Sequence, residues 1–305
     1  MMPVKPVNAD QSMLCERLVT LGEPSVRTMS WLASIPSPSS GSLEIGPLRL
    51  NAYGLMIALG AVAATWLVGR RLESRQWGTR DDASSIAIWA VPAGVVGARL
   101  YHVITDWDRF DGRYLDAFKI WQGGLGIYGG LVLGTVVGLW VAKRRGLNAR
   151  QVLTIAAPAI PLAQAIGRWG NWFNQELFGR PTSLPWGLEI DARHLPKGYE
   201  LGTLFHPTFL YESLGCLLLV VMLLQVDRRV TLAPGRLFAV YAAGYSLLRF
   251  FVEGLRIDTA KAAGGLRLNQ WVSVGVLVLA VVVLVMSRSR NDSSPATSDS
   301  APETT

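Results

Sequence analysis

The sequence predicts an all-α integral membrane protein with about seven transmembrane helices, and three observations support that fold class. Only 17% of the 305 residues are charged, against about 25% in an ordinary soluble domain. The apolar residues form runs, and the length of each run is close to the number of residues that a helix needs to cross a bilayer, about 20. The charged residues are bunched between those runs, which distinguishes this chain from a soluble protein with the same 50% of apolar residues.

Seven apolar segments follow one another along the chain. Several contain proline and glycine, as at Pro92 and Pro158, and membrane helices tolerate both. In the third segment Gly130, Gly134 and Gly138 recur every four residues, which favours close packing against a neighbouring helix. The predicted segments are 50–69, 84–104, 123–142, 152–168, 207–226, 236–254 and 269–286.

Together the seven segments define a transmembrane domain at residues 48–287, flanked by two polar extensions. Residues 1–47 are rich in Ser and Pro, and we expect them to be disordered in part. They contain no basic region followed by an apolar one, so we predict no cleaved signal peptide, and Met29 is an alternative start. Residues 288–305 are predicted to form a disordered cytoplasmic tail.

The distribution of Lys and Arg predicts the orientation of the helices. The loops after the first, third and fifth segments are short and dense in cations, which places them and the C-terminus in the cytoplasm and the N-terminus outside. The net charge of +7 therefore reflects membrane topology. It does not indicate a nucleic-acid partner, because the cations form no stripe with interleaved aromatic residues. The cations of these loops are Arg70, Arg71, Arg75, Arg80, Lys143, Arg144, Arg145, Arg150, Arg228, Arg229 and Arg236.

Polar side chains that are unusual in membrane helices all fall at the predicted outer ends of the segments. Ionisable groups at membrane depth are costly and indicate function, so we predict a single polar cavity that opens outward. The residues concerned are Tyr53, Arg99, Tyr101, His102, Tyr128, Arg168, Asn171, Asn174, Glu176, His206, Tyr211, Glu212, Tyr245, Arg249, Glu253 and Arg256.

Three clusters within this set carry the chemistry. The first cluster is Arg249, Glu253 and Arg256, whose spacings of four and three place them on one helix face. The pattern predicts a structural ion-pair ladder or a phosphate site, the second because the two cations outnumber the one carboxylate. In GRWGNWFNQELFGR, glycines including Gly179 bracket four polar side chains, which favours a ligand-binding loop over a simple turn. His206 in FHPTFLYES is either structural or an acid–base group.

The three histidines and two cysteines show no metal-ligand spacing, so we expect no metal.

Six blocks in this order resemble the prolipoprotein diacylglyceryl transferases: NAYGLMIALG, GARLYHV, GGLGIYGG, GRWGNWFNQELFG, HPTFLYES and RFFVEGLR. The resemblance runs from Tyr53 to Trp271. It implies a multi-pass enzyme of the bacterial inner membrane with its active site toward the outer face. Such enzymes transfer the diacylglyceryl group of phosphatidylglycerol to the lipobox cysteine in the signal peptide of a preprolipoprotein. They form a thioether and release glycerol-1-phosphate.

The resemblance also implies roles for individual residues. Arg168 matches the family's signature arginine, which is implicated in binding phosphatidylglycerol. Tyr128 is a departure, because many members have a histidine at this place that has been proposed as the base; Trp172 replaces the usual phenylalanine. The remaining matches are the signature residues Asn171 and Glu176, the essential Arg249 with its partner Glu253, and the functional tyrosines Tyr53 and Tyr245.

A mechanism follows as a hypothesis. Arg168 and Arg249 hold the phosphate, Glu253 orients Arg249, and either Tyr128 or His206 relays the thiol proton. No metal or redox cofactor is expected, because phosphate is already a usable leaving group. The competing hypothesis is a transporter or binder of an anionic lipid, without chemistry. The predicted substrate-binding residues are Arg168, Asn171, Asn174, Glu176, Gly179, Tyr53, Arg99, Tyr245 and Arg256.

Overall fold

The computed structural model describes residues 34–45, 48–119, 123–260 and 262–292. Within these ranges it contains eight α-helices and three short antiparallel strand pairs. The helices are α1 (Ala52–Ser74), α2 (Arg80–Thr105), α3 (Ile127–Arg144), α4 (Ala149–Gly167), α5 (Trp169–Asn174), α6 (Thr208–Arg229), α7 (Arg236–Leu255) and α8 (Leu268–Asp292). The strands are β1 (Ser42–Ile45), β2 (Leu48–Asn51), β3 (Leu188–Glu189), β4 (Leu204–Phe205), β5 (Ala262–Ala263) and β6 (Leu266–Arg267).

Polar caps fix where several helices begin. The Asn51 side chain accepts a hydrogen bond from the main-chain N–H of Tyr53 at the start of α1. Thr79 and Asp82 form a reciprocal capping box at the start of α2, and Asn148 caps α4. Such caps satisfy N–H groups that have no partner within the helix. The loop residues between the apolar segments therefore set the helix boundaries.

Five helices in the described ranges are long and apolar enough to cross a membrane, which agrees with the predicted fold class: Ala52–Ser74, Arg80–Thr105, Ile127–Arg144, Thr208–Arg229 and Leu268–Met286. The fourth and sixth predicted segments are also helical, as α4 and α7. Neither is among the five, but α4 packs among α1, α6 and α7, and the charged Glu253 of α7 is buried. Shielding by protein removes the need for a wholly apolar surface. The total of seven spans stays a prediction.

Antiparallel helix pairs with very close contacts build the bundle. The predicted glycine series of α3 faces α2, where Gly130 lies against Gly94 and Ala98 and Gly134 against Ala90. A Cβ atom on Gly97 would lie 2.6 Å from the Cβ of Leu133, so larger residues do not fit this contact. Small residues that permit close approach are typical of membrane helix packing. The packing function predicted for the glycine series is confirmed.

At the bundle end opposite Tyr53, a buried ion-pair cluster joins three helices. Asp227 of α6 lies 2.9 Å from Arg71 Nη2 and 2.7 Å from Arg75 Nη2, both extending from α1 or its cap. Arg71 also donates to the main-chain carbonyl of Thr154 in α4. This end of the bundle thus holds Arg71 and Arg75, two of the cations that the sequence assigns to cytoplasmic loops.

The two polar extensions are described only in part. Residues 34–45 are folded: Ile35 pairs with Leu188 of β3, and Trp172 Nε1 donates to the Pro36 carbonyl. Helix α8 continues to Asp292, so residues 288–292 of the expected tail are helical. The rest of the two extensions, including the alternative start at Met29, lies outside the described residues.

Candidate active site

Two buried carboxylates contact most of the polar residues of the site. The first belongs to Glu212 in the second turn of α6, and this residue is only 2% exposed. Its Oε1 atom lies 2.7 Å from Arg168 Nη2 and accepts a hydrogen bond from the Tyr245 hydroxyl at 2.9 Å. Its Oε2 atom accepts a hydrogen bond from Arg249 Nη1 at 3.1 Å. Glu212 thereby gathers side chains from the end of α4 and from α7.

The second carboxylate belongs to Glu253 in the last turn of α7, and it is fully buried. Its Oε2 atom lies 2.6 Å from Arg249 Nη2 and 3.4 Å from Arg256 Nη1. Its Oε1 atom lies 2.9 Å from Arg267 Nε and accepts a hydrogen bond from Asn269 Nδ2 at 3.3 Å. The spacing of four and three therefore produces the ion pairs that the sequence pattern predicts.

A third carboxylate extends this network into the turn after α7. Asp258 accepts a hydrogen bond from Arg256 Nε at 2.7 Å and another from Arg267 Nη2 at 2.9 Å. Burial by itself raises the pKa of Asp258, but the hydrogen bonds and charges of the two arginines outweigh it, so this pKa lies below its ordinary value. Asp258 therefore stays ionised at neutral pH.

Arg249 joins the two buried carboxylates, because one of its nitrogens faces Glu212 and the other faces Glu253. In the described part of the chain, direct ion pairs connect three carboxylates with four arginines. This excess of positive charge suits an anionic ligand, and guanidinium groups match the geometry of phosphate. The four arginines are Arg168, Arg249, Arg256 and Arg267.

Arg168 is positioned by the glycine-rich motif that contains it. The residue lies at the junction of α4 and α5, and its Nη1 donates to Asn171 Oδ1 at 3.3 Å. Asn171 Nδ2 in turn donates to Glu176 Oε1 at 2.9 Å, and Asn174 Nδ2 reaches the same oxygen at 3.4 Å. The four polar residues of the motif are thus one connected chain of hydrogen bonds.

Two glycines of this motif permit close packing that a larger residue would prevent. A Cβ atom on Gly170 would lie 2.6 Å from the ring of Tyr53, so the tyrosine lies directly against the main chain of α5. A Cβ atom on Gly179 would lie 2.8 Å from the Cβ of His206 and 3.1 Å from the carbonyl oxygen of Leu255. Gly179 therefore acts by letting the loop approach the start of α6 and the end of α7.

The arginines are tightly packed against their own carboxylates. The cavity lined by Arg168, Asn171, Thr208, Glu212 and Arg256 has a volume of about 10 Å³. That volume is room for one water molecule, since a water needs roughly 10–15 Å³ on this measure. A phosphate group has to displace some of these ion pairs to reach both Arg168 and Arg256, the arginines that line this cavity.

The two proton-relay candidates lie in different surroundings. The Tyr128 hydroxyl at the start of α3 donates to Asn269 Oδ1 at 3.0 Å, and Asn269 contacts Glu253, so Tyr128 is connected with the arginine network. His206 Nδ1 instead lies 3.1 Å from the Tyr211 hydroxyl, which also accepts a hydrogen bond from Trp186 Nε1. The geometry brings Tyr128, and not His206, to the network.

Arg99 is also separate from this network. Its guanidinium donates to four main-chain carbonyls, which belong to Asp116, Ala117, Gly123 and Gly124, at 2.5–3.1 Å. The residue lines a different cavity of about 220 Å³ together with His102 and Phe110. Arg99 therefore stabilises the loop between α2 and α3 through these four hydrogen bonds.

Comparison with known proteins decides the family. The sequence profile described as prolipoprotein diacylglyceryl transferase matches residues 41–286 of this chain. The chain belongs to the prolipoprotein diacylglyceryl transferase family. The resemblance stated from the six sequence blocks is therefore confirmed, and with it the class of enzyme and a bacterial membrane as its location.

Relatives within the prolipoprotein diacylglyceryl transferase family are close and span most of the chain. A phosphatidylglycerol–prolipoprotein diacylglyceryl transferase of Streptomyces griseus is 49% identical over 260 residues, which cover 84% of this chain and 78% of the relative. The enzyme of that name from Cutibacterium acnes is 49% identical over 261 residues, covering 84% of this chain and 88% of the relative. A Streptomyces coelicolor relative is 50% identical, covering 85% and 83%.

Four members of the polar network in this diacylglyceryl transferase are not among the predicted catalytic and substrate-binding residues: Glu212, Asp258, Arg267 and Asn269. Glu212 was noted only as a polar residue at the start of the fifth segment, although a carboxylate inside an apolar helix is itself a signal for a buried cation partner. Arg267 and Asn269 lie at the start of the last apolar segment and carry no such signal. Only the packing of α8 against α7 brings them to Glu253.

Proposed function

We propose that this chain transfers the diacylglyceryl group of phosphatidylglycerol to the lipobox cysteine of a preprolipoprotein, releasing glycerol-1-phosphate. One observation carries the proposal: Arg168 and Arg249, from different helices, converge on the two oxygens of Glu212. A carboxylate held in this way by two guanidinium groups occupies the place that a phosphate would take between them. The reaction is the first step of bacterial lipoprotein maturation.

The transfer needs a leaving phosphate and a nucleophilic sulfur. The thiol of the lipobox cysteine loses its proton, which leaves with the released glycerol phosphate or into water, and the thiolate sulfur attacks the glycerol carbon that bears the phosphate. The carbon–oxygen bond to phosphate breaks, its electron pair stays on the phosphate oxygen, and a thioether forms. Arg168 and Arg249 offset the charge that grows on that oxygen, while Glu253 fixes the orientation of Arg249 at 2.6 Å.

The remaining predicted residues support this centre in the proposed mechanism. Tyr245 holds Glu212 through its hydroxyl, and Arg256 shares Glu253 with Arg249. Asn171, Asn174 and Glu176 hold Arg168 in place through their hydrogen-bond chain, and Tyr53 and Gly179 shape the surrounding walls. Of the two proton-relay candidates, Tyr128 is the one connected with the arginine network, since His206 contacts Tyr211 instead.

The proposed location is the inner membrane, with the site facing outward. The arginine network lies at the bundle end that contains the start of α1, whereas the Arg71 and Arg75 cluster lies at the other end. Because loops rich in Lys and Arg stay in the cytoplasm, the network would face the side on which an exported signal peptide arrives. Phosphatidylglycerol and a preprolipoprotein signal peptide could then meet there within the membrane.

The test is incubation of the purified full-length protein with phosphatidylglycerol and a lipobox peptide, followed by mass spectrometry of the peptide. We expect the mass of one diacylglyceryl group to be added to the cysteine, and no addition to a matched peptide with serine at that position. Saturable binding of phosphatidylglycerol without any mass gain would instead support the lipid-binder or transporter hypothesis and overturn the proposal.

A further inference from the structure

We propose that Asn269 is a positioning residue that orients the Tyr128 hydroxyl so that its oxygen faces the thiol of the incoming peptide. The proposal rests on the proposed function, since it concerns the nucleophile of that reaction. Both residues lie at the beginnings of helices, Tyr128 in α3 and Asn269 in α8, and their side chains meet in a hydrogen bond of 3.0 Å.

The orientation of the Asn269 amide follows from its two partners. Its Nδ2 group donates to Glu253 Oε1 at 3.3 Å, and this carboxylate, which faces three arginines, is the acceptor of that hydrogen bond. The amide oxygen is therefore the atom that faces Tyr128, and an amide oxygen only accepts. The phenol proton is consequently directed toward Asn269, which leaves the lone pairs of the phenol oxygen free to accept a hydrogen bond.

This arrangement defines what the phenol can do for the reaction. Tyr128 is 38% exposed, and its hydrogen bond to Asn269 lies at the exposed surface of the helices. A thiol S–H group of a bound peptide can donate to that oxygen and so be held in one orientation. No proton passes onward from Tyr128 to Glu253, because the amide that separates them presents an acceptor on one side and a donor on the other.

Both ends of the Tyr128–Asn269 contact are held by packing. The Gly126 main-chain N–H donates to the Ala98 carbonyl of α2 at 2.8 Å, and the Tyr101 ring lies 6.0 Å from the Tyr128 ring. On the other side, Ser273 Oγ donates to the Asn269 carbonyl at 2.8 Å, one turn along α8. The hydrogen bond therefore joins two fixed helix ends, as a geometry needed before the substrate binds would require.

The experiment is a double-mutant cycle on the full-length protein in the peptide transfer assay, with Asn269→Leu, Tyr128→Phe and the double variant. Loss of one hydrogen bond that orients a reacting group lowers kcat by about tenfold. We expect each single variant to lose about tenfold in kcat, and the double variant to lose about tenfold as well, because both changes break the same contact. The KM for phosphatidylglycerol should stay within about twofold, since the arginines keep their other partners.

Asn269→Asp keeps an oxygen that accepts from the phenol, and it replaces the donor to Glu253 by a second carboxylate oxygen, whose repulsion is offset by the three arginines around Glu253. We expect it to be several times more active than Asn269→Leu when Tyr128 is present, and to have no such advantage when each is combined with Tyr128→Phe. Val278→Ala is the matched control on the same helix, because its side chain is exposed and takes no part in the site, and it should leave kcat unchanged. Asn269→Ser is run through the same cycle, so the comparison stands if the leucine variant does not fold.

Two results would overturn the inference. The first is an additive cycle, with the double variant about a hundredfold slower than wild type, since independent losses multiply. The second is a rise in the KM for phosphatidylglycerol with kcat unchanged. In either case the wild type would still transfer the diacylglyceryl group, which distinguishes failure of this inference from failure of the proposed function.

Discussion

Replacement of Arg249 by alanine tests the central feature of the site. Arg249 is the arginine that contacts both buried carboxylates, with Nη1 at 3.1 Å from Glu212 and Nη2 at 2.6 Å from Glu253. Arg249→Ala removes both contacts together with one of the two cations assigned to the leaving phosphate. The change has two consequences, one on stability and one on rate, which are measured separately.

The expected loss of stability is moderate because neither carboxylate is left alone. Glu212 keeps Arg168, and Glu253 keeps Arg256 and Arg267. A hydrogen bond to a charged group contributes about 1.5–3 kcal/mol, so the two lost contacts amount to at most about 3–6 kcal/mol. Removing one group that stabilises a developing charge costs about 100-fold to 1,000-fold in kcat, or about 2.7–4 kcal/mol.

The assay is transfer to the lipobox peptide, normalised to folded protein measured by thermal unfolding in detergent. Arg71→Ala is the matched control, since Arg71 is also a buried arginine paired with a carboxylate, Asp227, at 2.9 Å. Asp227 keeps Arg75 as a partner. We expect Arg71→Ala to lose stability comparably and to keep its rate per folded molecule.

Two outcomes would refute this reasoning. One is a folded Arg249→Ala protein whose rate is within about threefold of wild type. Such a change in activation free energy is smaller than the about 1.4 kcal/mol that a tenfold change in rate requires. The other is an equal loss of rate per folded molecule in Arg71→Ala. The latter would mean that the ion pairs act on catalysis only through the integrity of the bundle.

Three further predictions concern the framework of the site. Glu212→Gln leaves two buried arginines without their shared charge, so we expect a loss of about 3–5 kcal/mol in unfolding free energy; an unchanged melting temperature would contradict this. Gly179→Ala should destabilise by about 1–3 kcal/mol through overpacking. Gly167→Ala should not, because among the described residues no atom outside the local helix backbone lies within 4 Å of the added Cβ there. Asp258 has a lowered pKa, so its contribution to stability is present above its unfolded pKa of about 3.9 and is lost as pH falls through the folded value. Asp258→Asn should therefore melt below wild type at pH 6, and the difference should shrink below about pH 4; a difference independent of pH would count against the ion pairs.

Much of the architecture could be predicted without coordinates. The apolar segments predict the long helices within a few residues, as for 84–104 against α2 at Arg80–Thr105. The glycine series of α3 and the ladder from Arg249 to Arg256 are local patterns, and a helix converts such spacing directly into a shared face. The six motif blocks also predict the family, which the profile match to residues 41–286 bears out.

Other predictions needed distances that no pattern provides. Arg99 has the residue type and the predicted depth of a phosphate ligand, yet its donors are bound to carbonyls of the following loop. His206 and Tyr128 were equal candidates in the sequence, and only one of them contacts the arginine network. Residues 34–45 appear as part of a polar extension, although they pack against β3 and the glycine-rich motif.

By itself, the sequence determined the class of protein, the helices and most of the charged residues of the site, because hydropathy and helical spacing act over short stretches of chain. The tertiary structure decided which charges meet. Glu212, Arg168 and Arg249 are separated by dozens of residues, and Arg267 and Asn269 lie at the beginning of yet another helix. Their contacts depend on how α4, α6, α7 and α8 pack side by side, and a buried carboxylate takes whichever cations that packing places within reach.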